Sequence, residues 1–130
     1  MSEERKEAVI GGAPHVAGVS MVAFDANDPP VLARFWAALL NGRGVVVDED
    51  GDAWVEVDGC PRLDFLKVPE TKEIKNRLHL DVAVTDLGAA TQEALALGAS
   101  LADDVYDGGR WQVLRDPEGN EFCLLPPQEL

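Results

Sequence analysis

LHLDVAVTDLGAATQEALALG, residues 78–98, carries two periods in succession. Leu80, Val82 and Val84 alternate with His79, Asp81 and Ala83, the pattern of a strand with one buried face. Asp86 then offers a carboxylate to cap a helix, Leu87 to Leu97 continues it, and Gly98 stops it. Downstream, Ser100 to Ala102 reads as a short extended piece and Asp107-Gly108-Gly109 as a turn. Trp111 to Leu114 and Glu121 to Leu125 read as strands around Asp116-Pro117-Glu118-Gly119-Asn120. The unit is βαβββ.

Upstream, the same order is already present. Val16 to Phe24 reads as a strand, and Asn27-Asp28-Pro29-Pro30 as a helix start. Val31 to Leu40 carries Leu32, Phe35, Trp36, Leu39 and Leu40 at helical spacing, with Asn41-Gly42 behind it. Val45 to Val47, Trp54 to Val57 and Leu63 to Val68 supply three more strands. Landmarks of the two halves fall at matching separations: 58 residues from Asp28 to Asp86, 56 from Gly42 to Gly98, 57 from Trp54 to Trp111 and 59 from Leu63 to Phe122. The chain is one unit written twice.

These landmarks predict an α+β fold in a single domain over residues 14–130. Module 1 covers about 16–68 and module 2 about 78–126, with a polar linker over 69–77. Residues 1–13 form a flexible tail. Two such units pair into an open, curved mixed β-sheet, a half-barrel cleft with the helices on its outer face.

Composition narrows the function classes. Eleven Lys and Arg face 24 Asp and Glu, a formal net charge of −13. Such a surface repels phosphate backbones and anionic lipid, so neither nucleic acid nor membrane is expected as a partner. Cys60 and Cys123 have no CxxC spacing and fit reduced thiols in a cytoplasm. The charged start Met1-Ser2-Glu3-Glu4-Arg5-Lys6-Glu7 lacks the apolar region of a signal peptide. No P-loop, GxGxxG, HExxH or GxSxG is present.

Two stretches carry a resemblance. Val68-Pro69-Glu70-Thr71-Lys72 through Lys75-Asn76-Arg77-Leu78-His79-Leu80-Asp81-Val82 is the first. Arg115-Asp116-Pro117-Glu118-Gly119-Asn120-Glu121-Phe122-Cys123 is the second. Together they resemble the glyoxalase-like branch of the vicinal oxygen chelate superfamily, over about Val16 to Pro126. That superfamily includes glyoxalases, epimerases, extradiol dioxygenases, fosfomycin-modifying enzymes and bleomycin-binding proteins. The resemblance implies the fold far more strongly than any one reaction. In metal-using members the ligands come from the first and last strand of each unit. By position these fall on Met21 and Asp64 in module 1, and on His79 and Cys123 in module 2.

Strand parity turns Met21, Ala23, Asp25, Asp64, His79, Asp81 and Cys123 away from the core. Met21 is a soft ligand for a hard divalent ion, so any metal here is zinc or iron held by His79, Cys123 and Asp64. The other course is that no metal binds. His79 is then a hydrogen-bonding or acid/base group with Asp81 beside it, and Cys123 a small buried side chain. Trp54 and Trp111 are either aromatic walls for a planar ligand or packing anchors, and Glu56 shares the parity of Trp54. Two functions follow as expectations. One is a small-molecule-binding protein with a degenerate metal site, holding an apolar or aromatic ligand. The other is a metal-dependent lyase, isomerase or dioxygenase. A homodimer would cover an exposed sheet edge.

Overall fold

The computed structural model describes residues 11–127. Of the expected tail, residues 1–10 lie outside the described residues, and 11–13 are exposed. The elements run β1 (Met21–Ala26), α1 (Pro29–Leu39), β2 (Val46–Val47), β3 (Ala53–Val55) and β4 (Arg62–Lys67). They then repeat as β5 (Asp81–Ala83), α2 (Leu87–Leu97), β6 (Ser100–Leu101), β7 (Gln112–Arg115) and β8 (Glu121–Leu125). This is βαβββ twice, an α+β fold.

Each unit makes its own four-stranded sheet, ordered β1-β4-β3-β2 and β5-β8-β7-β6. In both, the first strand runs parallel to the last and the remaining pairs are antiparallel. Both sheets stay open, and β1 and β5 are edge strands.

Local chemistry sets the helix ends. Asp28 and Asp86 cap α1 and α2, accepting from the backbone N–H of Val31 and Ala89. Gly98 follows α2 at φ 120°, a left-handed conformation that favours glycine. After α1 that role passes to Asn41, at φ 54°.

The first strand of each module is shorter than its apolar run suggests. Residues 16–20 and 78–80 are largely exposed, and β1 and β5 begin only where β4 and β8 lie beside them. Register also refines the repeat. Trp54 pairs with Asp64, whereas Cys123 pairs with Val113. The counterpart of Trp54 is therefore Val113, and Trp111 lies two residues before the equivalent place, on the same face.

One core spans both modules. Leu32, Phe35 and Trp36 of α1 pack with Leu63 and Phe65 of β4, and the same cluster contains Leu114, Phe122 and Leu124 of module 2. The Phe122 ring lies 4.9 Å from Trp36 and 5.9 Å from Phe35, both edge-on. Asp116-Pro117-Glu118-Gly119-Asn120 forms the expected turn, with Gly119 at φ 87°. It also grips module 1. Asp116 accepts from the indole Nε1–H of Trp36 at 3.0 Å, and Glu118 accepts from the backbone N–H of Asn27 and Asp28.

Candidate functional site

Strand alternation delivers His79, Asp81 and Cys123 to one face of module 2. Asp81 stands opposite Cys123 in the ladder, and His79 is two residues earlier on the same side. His79 Nε2 lies 3.1 Å from Asp81 Oδ1. One ligand atom from each of the three residues falls within 4.8 Å of the others. Burial pushes the Cys123 thiol up to about 11, and Asp81 adds to this through its charge and a hydrogen bond. The thiol is therefore neutral at physiological pH and is not a ready nucleophile.

Beside the trio is a cavity of about 530 Å3, lined by His79, Asp81, Cys123, Val113, Tyr106 and Trp111. Tyr106 stacks on Trp111 with centroids 4.4 Å apart and planes 10° from parallel. Tyr106 sits in an irregular loop with no periodicity, so no sequence pattern marks it. A second cavity of about 630 Å3 is lined by Val22, Phe24, Trp36, Ile74, Leu78 and Phe122.

Module 1 presents a different face. Asp64 is held by Arg62, from Nε at 2.7 Å and from Nη2 at 2.9 Å. The same Nη2 reaches the Met21 sulfur at 3.6 Å, and the guanidinium lies 5.0 Å from the centre of the Trp54 ring. Glu56 is exposed and pairs with Arg43 at 3.2 Å. Trp54 lines neither cavity, so Trp54 and Trp111 do not wall one space together.

Of the four positions carried over from the resemblance, His79 and Cys123 come together with Asp81. Met21 and Asp64 come together with Arg62. The four do not fit a hard divalent ion, which seeks several oxygen ligands. Asp64 is engaged by a guanidinium, Met21 offers sulfur, and the Cys123 thiol is protonated.

Glu121, on β8 between the turn and Cys123, fixes the linker to this face. It is 5% exposed, and Lys72 and Arg115 stand 3.0 and 3.1 Å from its carboxylate. Asn76 donates its backbone N–H to that carboxylate and exchanges side-chain bonds with the Glu121 backbone. Burial alone would raise the Glu121 pKa, but the bonds from Lys72, Asn76 and Arg115 outweigh it and hold the pKa below the ordinary carboxylate range. A lowered folded pKa stabilises above the unfolded pKa, and that contribution is lost as pH falls through the folded one. Glu121→Gln should therefore be less stable than the wild type at pH 7. The gap should close as pH drops below about 4. Urea unfolding across pH checks this, and a gap that widens in acid would refute it.

With the fold and this geometry in hand, comparisons with known proteins agree. Residues 21–125 match the glyoxalase-like domain family, and the chain belongs to it. Proteins of Mycobacterium bovis and Mycobacterium tuberculosis, each provisionally named glyoxylase CFP32, are 34% identical over 89 residues. That match covers 66% of this chain and 31% of those proteins, so the chain spans about a third of the curated relatives it matches. Among solved structures, a mutant of the fosfomycin resistance protein FosX from Listeria monocytogenes, complexed with Mn(II) and a dihydroxypropylphosphonic acid, has a TM-score of 0.66 at 15% identity. It covers 85% of this chain and 90% of that one. A glyoxalase/bleomycin resistance protein/dioxygenase family enzyme from Burkholderia phytofirmans has a TM-score of 0.64 at 20% identity, covering 81% and 94%. At these identities the likeness concerns the fold alone. No helix among the described residues is long and apolar enough to cross a membrane.

Proposed function

We propose that the chain is a small-molecule-binding protein whose module 2 cleft holds a flat, apolar or aromatic ligand without a metal ion. The observation that carries this is the 530 Å3 cavity with the stacked Tyr106–Trp111 pair beside it. A wall two rings deep is a rigid stacking surface for a planar molecule. His79 and Asp81 stand at the same cavity, exposed enough to hydrogen-bond a polar edge of the ligand or to exchange a proton with it. Both free cysteines suit a reducing cytoplasm. A homodimer remains part of the proposal. The open edge of β1 and the exposed Val16, Val19, Ile74 and Leu78 are surfaces that a second copy would cover.

A thermal-shift screen of planar aromatic compounds tests the cleft. Hits should bind at least about tenfold more weakly to Trp111→Ala. A protein that no compound stabilises, or a Trp111→Ala variant that binds equally well, would count against it.

A second reading is favoured by the His79–Asp81–Cys123 trio: a zinc- or iron-dependent lyase, isomerase or dioxygenase. It requires the Cys123 proton to be displaced by the ion. Metal analysis of protein purified without chelator separates the two. One ion per chain, lost in His79→Ala, favours the enzyme, and substoichiometric metal in both favours the metal-free cleft.

A further inference from the structure

We propose that Arg62 is the resident cation of the module 1 face, and that its guanidinium holds the Met21–Asp64 donor pair and keeps divalent metal ions off it. The inference rests on the reading of the module 2 cleft as a metal-free binding site, and it explains why module 1 adds no metal ligand to it.

Arg62 is engaged through Nε, through Nη2 and through one face of its guanidinium. Two charge-assisted hydrogen bonds run in parallel to the two carboxylate oxygens of Asp64. The Nη2 that makes one of them also meets the Met21 sulfur. The Trp54 ring lies beneath the guanidinium at 5.0 Å. The Asp64 side chain is only 13% exposed, so its charge needs a partner, and Arg62 supplies one that stays protonated at any physiological pH. An incoming divalent ion would have to compete with both hydrogen bonds for the carboxylate and sit within a few ångströms of a fixed positive charge.

The two modules differ at this point. By ladder register Arg62 corresponds to Glu121, because Asp64 corresponds to Cys123 and each lies two residues earlier. Module 2 therefore places a carboxylate, itself bound by Lys72 and Arg115, where module 1 places the guanidinium. Met21 and Asp64 are thus withdrawn from metal binding by a neighbour on the same strand, and no metal shared between the modules is available to the cleft.

The test is titration with Mn(II), read as loss of the free-ion paramagnetic resonance signal. Arg62→Gln removes the charge and should raise Mn(II) affinity at least about tenfold over the wild type. The gain should vanish in the double variant Arg62→Gln/Asp64→Asn. Arg62→Met is the second variant should Arg62→Gln fail to fold, with far-ultraviolet circular dichroism as the check. A folded variant with no gain, a gain that survives loss of Asp64, or wild-type binding as tight as the variant's would overturn the proposal. An aromatic ligand that still binds beside Trp111 in a variant that gains no Mn(II) would overturn this inference alone and leave the cleft standing.

Discussion

Asp116→Ala is expected to cost the fold about 3–5 kcal/mol, because it strands several donors at once in a closed environment. Asp116 is 3% exposed. Its carboxylate accepts from Trp36 Nε1–H, from the backbone N–H of Glu118 and Asn120, and from the Asn120 side chain. Alanine replaces none of these. The indole N–H lies inside the core, where an unpaired donor keeps its full desolvation cost. The turn loses the bonds that shape it, so β7 and β8 lose their fixed register. A drop in melting temperature on the order of 15 °C should follow. Asp116→Asn keeps the shape and one acceptor oxygen, so it should cost clearly less, about 1–2 kcal/mol. A double-mutant cycle with Trp36→Phe should show coupling, since either change alone removes the same hydrogen bond. An Asp116→Ala protein within about 1 kcal/mol of the wild type would contradict this account of the turn.

What was legible in the sequence was local. Alternation in Leu80, Val82 and Val84, the caps Asp28 and Asp86, and Gly98 each act within a few residues, so they reveal strands, helices and the repeat. Parity likewise placed His79, Asp81 and Cys123 on one face. Contacts between modules were not legible. Trp36 and Asp116 are 80 residues apart, and Glu118 reaches back 91 residues to Asn27. Nothing in a window of sequence links an indole to a distant turn. The ring of Trp36 was readable as core, while its N–H partner depended on how the modules dock.

Arg62 was within reach of sequence reasoning. It lies two residues before Asp64, hence on the same strand face, but the run of apolar residues begins at Leu63 and draws the strand boundary one residue late. The Trp54–Trp111 match slipped for a related reason. The connection leading into the third strand is longer in module 2, from Leu101 to Gln112, than in module 1, from Val47 to Ala53, so sequence landmarks there drift by two residues where the hydrogen-bond ladder does not. Tyr106 had no signal, because an irregular loop carries no period.

Phe122→Ala should be comparably severe, at about 3–5 kcal/mol, and it tests whether the two modules are one folding unit. Phe122 is 1% exposed and inserts its ring from module 2 against Phe35 and Trp36 of module 1. Truncation removes apolar contact on both modules and leaves a void between α1 and β8. Phe122 also lines both cavities, so the change would enlarge each at their shared wall. Phe122→Leu keeps much of the volume and should cost less. The informative measurement is whether probes of the two modules move together. Single-tryptophan variants in a shared Trp36→Phe background make this possible, with Trp54 of β3 reporting on module 1 and Trp111 on module 2. If the core is continuous, both fluorescence transitions shift to lower urea by the same amount, and they stay coincident with far-ultraviolet circular dichroism. A Trp54 transition left in place while the Trp111 transition moves would mean that the duplicated halves fold separately, and that the turn and Phe122 join two finished units instead of completing one.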